Sequence, residues 1–252
     1  MTASAPTVHV ERHSHVLLLR LDRPHVRNAI DGAMARELAD ALAVLESDTE
    51  LRVGVLSGAG DVFCAGMDLK AFAHHGAPKG IDELLEKGSP KPLLAAVEGP
   101  AMGGGLELAL MCDLLVAGAS ARFGLPEVRL GLFAAGGGLR RLPHRVPHGV
   151  ACEMILTGRP IDAEAALHHG LVAAVTEDGG AEGRCLEIAA AIAANAPLAV
   201  QASKDLIAKA GLDDDAFKSA QRQHVRTVFR SADAREGNRA FAAKRPPVWT
   251  NS

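Results

Sequence analysis

The residues able to do chemistry gather in the middle of this 252-residue chain. In Ala101-Met102-Gly103-Gly104-Gly105-Leu106-Glu107-Leu108-Ala109, three glycines run into an apolar, helix-like segment that one carboxylate interrupts. Glycine at a helix entry leaves backbone N–H groups facing outward with no Cβ in the way. Reinforced by the helix dipole, those donors can seat an oxyanion. Glu107 follows Gly104 by three residues, so a helix starting here sets both on one face. A second glycine-bearing turn, Ala65-Gly66-Met67-Asp68, supplies another amide, and a second carboxylate, Glu127, follows Pro126. Singly, each feature fits a plain role: close packing, a tight turn, a surface carboxylate. Together, two amides and two carboxylates are the equipment for stabilising an enolate oxyanion while protons move.

Other chemistries are poorly supported. The chain has no G-x-x-x-x-G-K-[ST] phosphate loop and no G-x-S-x-G elbow. Neither Gly58-Ala59-Gly60 nor Gly136-Gly137-Gly138 completes G-x-G-x-x-G, because Phe63 and Arg141 hold the third glycine's place. No H-E-x-x-H or cysteine cluster offers a metal site. The pairs His74-His75 and His168-His169 each precede a glycine and read as solvated helix ends. A net charge of −3 and 3% aromatic residues argue against a nucleic-acid surface or an anionic membrane as partner. Cys64, Cys112, Cys152 and Cys185 are widely spaced, and three lie in apolar surroundings, as reduced core thiols do. No apolar run reaches membrane-span length, and residues 1–6 lack a secretory layout, so a cytoplasmic compartment is expected.

The elements that must position these groups follow from periodicity. Strands are predicted near Val8 and Val10, over 16–21, 53–58, 93–97, 114–117 and 121–124, and at 172–175. Met34, Leu38, Leu42 and Leu45 predict an amphipathic helix over roughly 32–47. Glycines and prolines in 73–91 read as a mobile loop holding one short helix. From about 137 the pattern is mostly helical. Asp162 caps a helix that Gly170 ends, Asn195-Ala196-Pro197 marks a boundary, and Asp213-Asp214-Asp215 loads a long helix's N-terminus with negative charge.

Phe63-Cys64-Ala65-Gly66-Met67-Asp68-Leu69, Gly99 through Ala109, and Phe123-Gly124-Leu125-Pro126-Glu127-Val128-Arg129-Leu130-Gly131 resemble the enoyl-CoA hydratase/isomerase (crotonase) superfamily. The likeness continues through Gly137-Gly138-Leu139-Arg140-Arg141-Leu142-Pro143 and Leu156-Thr157-Gly158 to the 236–245 stretch, nearly the whole chain in order. It implies an α/β crotonase (ClpP-like) spiral of β-β-α units over residues 1–195, then a helical trimerisation region over 196–252. By the same resemblance the assembly is a homotrimer or a dimer of trimers, and the substrate is an acyl-CoA thioester. Oxyanion-hole amides fall at Met67 and Gly104, and the two catalytic glutamates at Glu107 and Glu127. Arg27, Ala65, Gly66, Asp68, Leu69 and Lys70 fall in substrate- and CoA-binding segments, while Lys244 could reach a neighbouring subunit's CoA. Keeping both glutamates favours a 2-enoyl-CoA hydratase with no metal or redox cofactor, coenzyme A being part of the substrate. An enoyl-CoA isomerase, a carnitinyl-CoA-like dehydratase and, more distantly, a non-catalytic acyl-CoA-binding subunit stay open. Met67, bulkier than the alanine common there, and Phe133-Ala134-Ala135, where a proline is frequent, put the acyl substrate rather than the fold in question.

Overall fold

The computed structural model describes residues 5–252 apart from Ala77, Lys79 and Leu212; residues 1–4, which bear on the expected lack of a secretory layout, lie outside it. Among the described residues, nine strands form two sheets: β1 (Val8–His13), β2 (Val16–Leu21), β3 (Val53–Gly58), β4 (Leu93–Val97), β5 (Pro100–Met102), β6 (Leu114–Gly118), β7 (Arg122–Gly124), β8 (Ile161–Asp162) and β9 (Ala174–Thr176). The larger sheet runs β1-β2-β3-β4-β6-β9, and the smaller β5-β7-β8. After an antiparallel β1–β2 hairpin, the larger sheet is parallel throughout. Parallel strands need covered faces. Alternation in β2 meets that need: Leu17, Leu19 and Leu21 enter the main core, whereas Val16 and Leu18 enter a second core on the opposite face.

Eleven α-helices complete the described chain. The first four are α1 (Gly32–Ser47), α2 (Leu69–His75), α3 (Ile81–Lys87) and α4 (Gly104–Met111). Then come α5 (Gly138–Arg141), α6 (His148–Thr157), α7 (Ala163–His168), α8 (Ala181–Ala193), α9 (Pro197–Ala208), α10 (Asp214–Val228) and α11 (Ala232–Ala242). α1 buries Met34, Leu38, Leu42 and Leu45, the expected stripe. Asp31 caps its start by accepting from Ala33 N–H and Met34 N–H. Lys91 closes its end: the ammonium is buried and donates to the carbonyls of Leu45, Asp48 and Leu51 at 2.8, 2.7 and 2.7 Å. On the opposite face of the sheet, α8 packs Ala181, Cys185, Ala189 and Ala193 against Val53, Val55 and Leu94.

Two expectations need correction. The 73–91 stretch holds one short helix, α3, as expected, but it opens on the last turn of another, α2; Gly76 and Gly88 end the two at φ +73° and +60°. Asp68 starts α2 by accepting from Lys70 N–H and Ala71 N–H, and Ile81 and Leu85, one turn apart on α3, are buried. The unexpected element is α2, which begins at Leu69 within a segment that reads as a glycine-bearing turn. The strand expected at 172–175 lies at 174–176, since Val172 is buried in the main core ahead of the ladder. The very short β5 and β8 were not anticipated; two or three residues carry no alternation to read. Of the histidine pairs, His168 and His169 end α7 with their rings edge to face at 4.9 Å, and the His75 side chain lies outside the described residues.

Candidate active site

Two isolated parallel bridges hold the first glycine-bearing turn against the rest of the protein. Cys64 pairs with Ala101, and Ile30 with Met67. In the second bridge Ile30 uses both its backbone groups, donating to Gly66 O and accepting from Asp68 N–H. Parallel pairing of that kind turns the N–H of the intervening residue, Met67, away from Ile30. Gly104 is the first residue of α4, so its N–H has no intrahelical acceptor. The two amides are neighbours: a Cβ built on Gly104 would stand 3.7 Å from Met67 N, and one on Gly66 would stand 3.3 Å from Gly104 N. Buried Asn28 sets this turn from beneath, donating to Ala59 O and Val62 O at 2.9 and 2.7 Å. Cys64 packs directly below, and burial pushes its thiol up to about 12.

Each glycine in the 103–105 run has its own job. Gly103 adopts φ +55°, ψ −128°, and a Cβ there would come within 3.2 Å of Glu127 Oε1. Gly105 presses on the Cys64 carbonyl group, which leaves no space for a side chain. At Gly104 alone a Cβ would meet its neighbours at ordinary van der Waals distance, and the residue lines the cavity.

Glu107 is 5% exposed, and its Oε1 accepts from Gly138 N–H at 2.9 Å. A Cβ on Gly136 would sit 2.8 Å from Oε2, so the 136–138 loop wraps the carboxylate closely. Glu127 lies in a 3₁₀ turn over Pro126–Leu130. Its Oε2 is buried with no hydrogen-bond partner among the described residues. Desolvation, with the nearby Glu107 charge adding to it, raises the Glu127 carboxyl above the ordinary glutamate value. One carboxylate is held by a backbone donor while the other is pushed toward its neutral form.

A cavity of about 330 Å³ joins these groups. Its lining includes Ala65, Gly66, Met67, Leu69, Gly104, Glu107 and Glu127 from the sequence-predicted set. Phe72, Ile81 and Leu85 from α2 and α3, with Leu130, Leu132 and Phe133, make the remaining wall mainly apolar. Arg27, Asp68 and Lys70 are outside the lining. Arg27 and Lys70 are exposed beside it, next to Ala65 (whose N–H donates to Arg27 O) and Leu69 respectively. Asp68 is committed to capping α2 and to an ion pair with Arg23 at 3.3 Å. Sequence reasoning missed the Gly138 amide: Gly136-Gly137-Gly138 reads as an incomplete dinucleotide motif and Gly137-Gly138 as part of the family likeness, and neither reading gives the amide a role, although the glycines mark a close approach to something. No group of three His, Cys, Asp or Glu side chains among the described residues could hold a metal ion.

Comparisons with known proteins find relatives over nearly the whole chain. The family model described as enoyl-CoA hydratase/isomerase matches residues 11–252. An enoyl-CoA hydratase of Mycobacterium tuberculosis is 42% identical over 98% of both chains. A carnitinyl-CoA dehydratase of Citrobacter koseri is 38% identical over 96% of this chain and 98% of its own. Among solved structures, an enoyl-CoA hydratase from M. tuberculosis H37Rv superposes with a TM-score of 0.94 at 44% identity, covering 98% of this chain and all of that one.

Proposed function

The chain belongs to the enoyl-CoA hydratase/isomerase family, and from that premise we propose that it adds water reversibly across the 2,3 double bond of a 2-enoyl-CoA thioester. The observation that carries this reading is the meeting of two outward-turned amides, Met67 and Gly104, with two carboxylates, Glu107 and Glu127, around one apolar cavity. Conjugate addition moves negative charge onto the thioester oxygen, where two fixed N–H dipoles stabilise it; losing one such donor typically costs about 3–4 kcal/mol. Glu107 takes a proton from water as the hydroxyl bonds to C3. Glu127, whose hold on its proton burial strengthens, delivers a proton to C2 as the enolate collapses. Passage of the proton from Glu107 to Glu127 then resets the pair. Both carboxylates act from one side of the double bond, which makes the addition syn. The chemistry is polar and needs no metal or redox group; coenzyme A arrives as part of the substrate.

Arg27 and Lys70, exposed beside the cavity-lining residues Ala65 and Leu69, are assigned to the CoA phosphates, with the 65–69 backbone along the thioester arm. Glu107 and Glu127 are the charged residues in the described lining. Both are given to the reaction, and the described lining has no aromatic cage of the kind that best holds a quaternary ammonium, which supports an uncharged acyl chain over a carnitinyl-like one. Among the described lining residues the aromatics are Phe72 and Phe133.

Residues 196–252 are assigned to subunit assembly, as a trimer or a dimer of trimers, around a core formed by the preceding 195. Support comes from α10, which buries no residue within the protomer, and from Phe229 and Phe241, 75% and 88% exposed. No single helix among the described residues is long and apolar enough to cross a membrane. With four free cysteines, a cytoplasmic enzyme is the reading that fits best. The test is incubation of purified protein with crotonyl-CoA while following loss of the enone absorbance. Conversion of a 3-enoyl-CoA with no turnover of any 2-enoyl-CoA would overturn the hydratase reading in favour of an isomerase. Unchanged turnover in both Glu107→Gln and Glu127→Gln would overturn the catalytic assignment.

A further inference from the structure

One guanidinium joins the wall of the acyl cavity to the loop that holds Glu107. Arg141 closes α5, and its side chain turns back under the 136–138 loop. Its Nη1 donates to Gly136 O at 3.3 Å, and its Nη2 donates to the carbonyls of Leu85 and, at 3.2 Å, Glu86. Leu85 and Glu86 stand in the last turn of α3, whose carbonyls have no intrahelical donors. Gly137, at φ +99°, leaves the space that Nη1 fills; any Cβ there would collide with it. A Cβ on Gly136 would collide with Leu85 Cδ1 and with Glu107 Oε2, so both side chains close on the same face of that glycine, and Gly138 next donates to Glu107 Oε1.

We infer that Arg141 is a positioning residue, which locks α3 to the Gly136–Gly138 loop and so couples the seating of the acyl chain against Leu85 to the placement of Glu107. The inference rests on the hydratase reading above. A planar fork suits this task better than an ammonium, because its donors are splayed rigidly toward carbonyls on two different segments. Arg141 itself touches neither the cavity nor the reacting atoms; its influence passes through Gly136 and Leu85. A carboxylate displaced by about an ångström from its productive position can lose about 100-fold in rate.

The test uses the full-length enzyme with 2-enoyl-CoA substrates of short and long chain. If the parent turns over none of them, the hydratase reading fails; the inference about Arg141 is judged only against an active parent. In Arg141→Ala, kcat should fall by tenfold or more on every substrate, through Glu107. KM should rise further for long chains than for short ones, through the loosened Leu85 wall. Added ethylguanidinium, at concentrations that leave the parent unaffected, should restore kcat saturably. Arg141→Lys, which keeps the charge and the apolar stem, should fall between the two. Three results overturn the inference: kcat within twofold of the parent in Arg141→Ala, loss of activity in proportion to loss of folded protein with no rescue, or failure of both variants to fold.

Discussion

The 103–105 glycines separate folding from catalysis within three consecutive residues, and alanine at each should give a different outcome. Gly104→Ala is the decisive one. Its backbone is ordinary helix, and the new methyl would meet Met67 Cγ at 3.6 Å and Ile30 Cδ1 and Met67 N at 3.7 Å, normal van der Waals spacing. Alanine is favoured over glycine by up to about 1 kcal/mol inside a helix, less at its first residue. The variant should therefore melt at the parent's temperature or up to about 2–4 °C above it, taking that slope for a chain of this size. The methyl nonetheless stands between the two amides that the thioester oxygen must approach. Loss of one oxyanion contact predicts a fall in kcat of about 10²–10³. By contrast, Gly105→Ala drives a Cβ to within 2.8 Å of the Cys64 carbonyl carbon and still closer to its oxygen. It should lose stability at or above the upper end of the ~1–3 kcal/mol range for overpacking. Gly103→Ala combines strain of about 1–3 kcal/mol at φ +55° with a push on Glu127, lowering both stability and rate. Calorimetry and initial rates on crotonyl-CoA separate the three. A Gly104→Ala enzyme that is folded and retains a third or more of parental kcat would refute the placement of the oxyanion between Met67 and Gly104.

Further tests address other parts of the argument. Burial raises the Glu127 carboxyl, so the native state holds that proton more tightly than the unfolded chain does. Its contribution to stability is then full below the unfolded value of 4.5 and lost as pH rises through the native value. Glu127→Gln should melt close to the parent at about pH 4 and above it at about pH 7, while losing hydration activity; a melting-temperature gap independent of pH would show that the carboxylate is not desolvated. Lys91→Met should cost about 3 kcal/mol in denaturant titration, because it strips three charge-assisted hydrogen bonds from carbonyls at the end of α1; a midpoint equal to the parent's would contradict that. Phe229→Glu with Phe241→Glu should reduce the sedimenting mass to that of a monomer, and an unchanged mass would remove these residues from the proposed assembly surface.

Periodicity alone located most elements. The apolar stripe of α1 lies over 32–47 as read, since 3.6-residue spacing has one way to bury Met34, Leu38, Leu42 and Leu45 together. β3 and β4 were as plain, being short apolar runs bounded by glycine or proline. The α2–α3 stretch was legible only in part: α3 is the short helix expected there, whereas α2 begins at Leu69, inside a segment that reads as a glycine-bearing turn. Glu107 and Glu127 were singled out by residue type and by resemblance to a known family. Neither source could distinguish them from one another. Only tertiary structure did so, by giving Glu107 the Gly138 amide and leaving Glu127 Oε2 buried and unpartnered. The two amides tell the same story. That glycine-bearing turns expose N–H groups is a local property and visible in the chain. That Met67 and Gly104 are neighbours is not local. It depends on the bridges from Ile30 and Ala101, which bring segments far apart in sequence into register. Chemistry at a site is a matter of distance and desolvation, and both are set by what the fold packs together rather than by the residues that carry the charge.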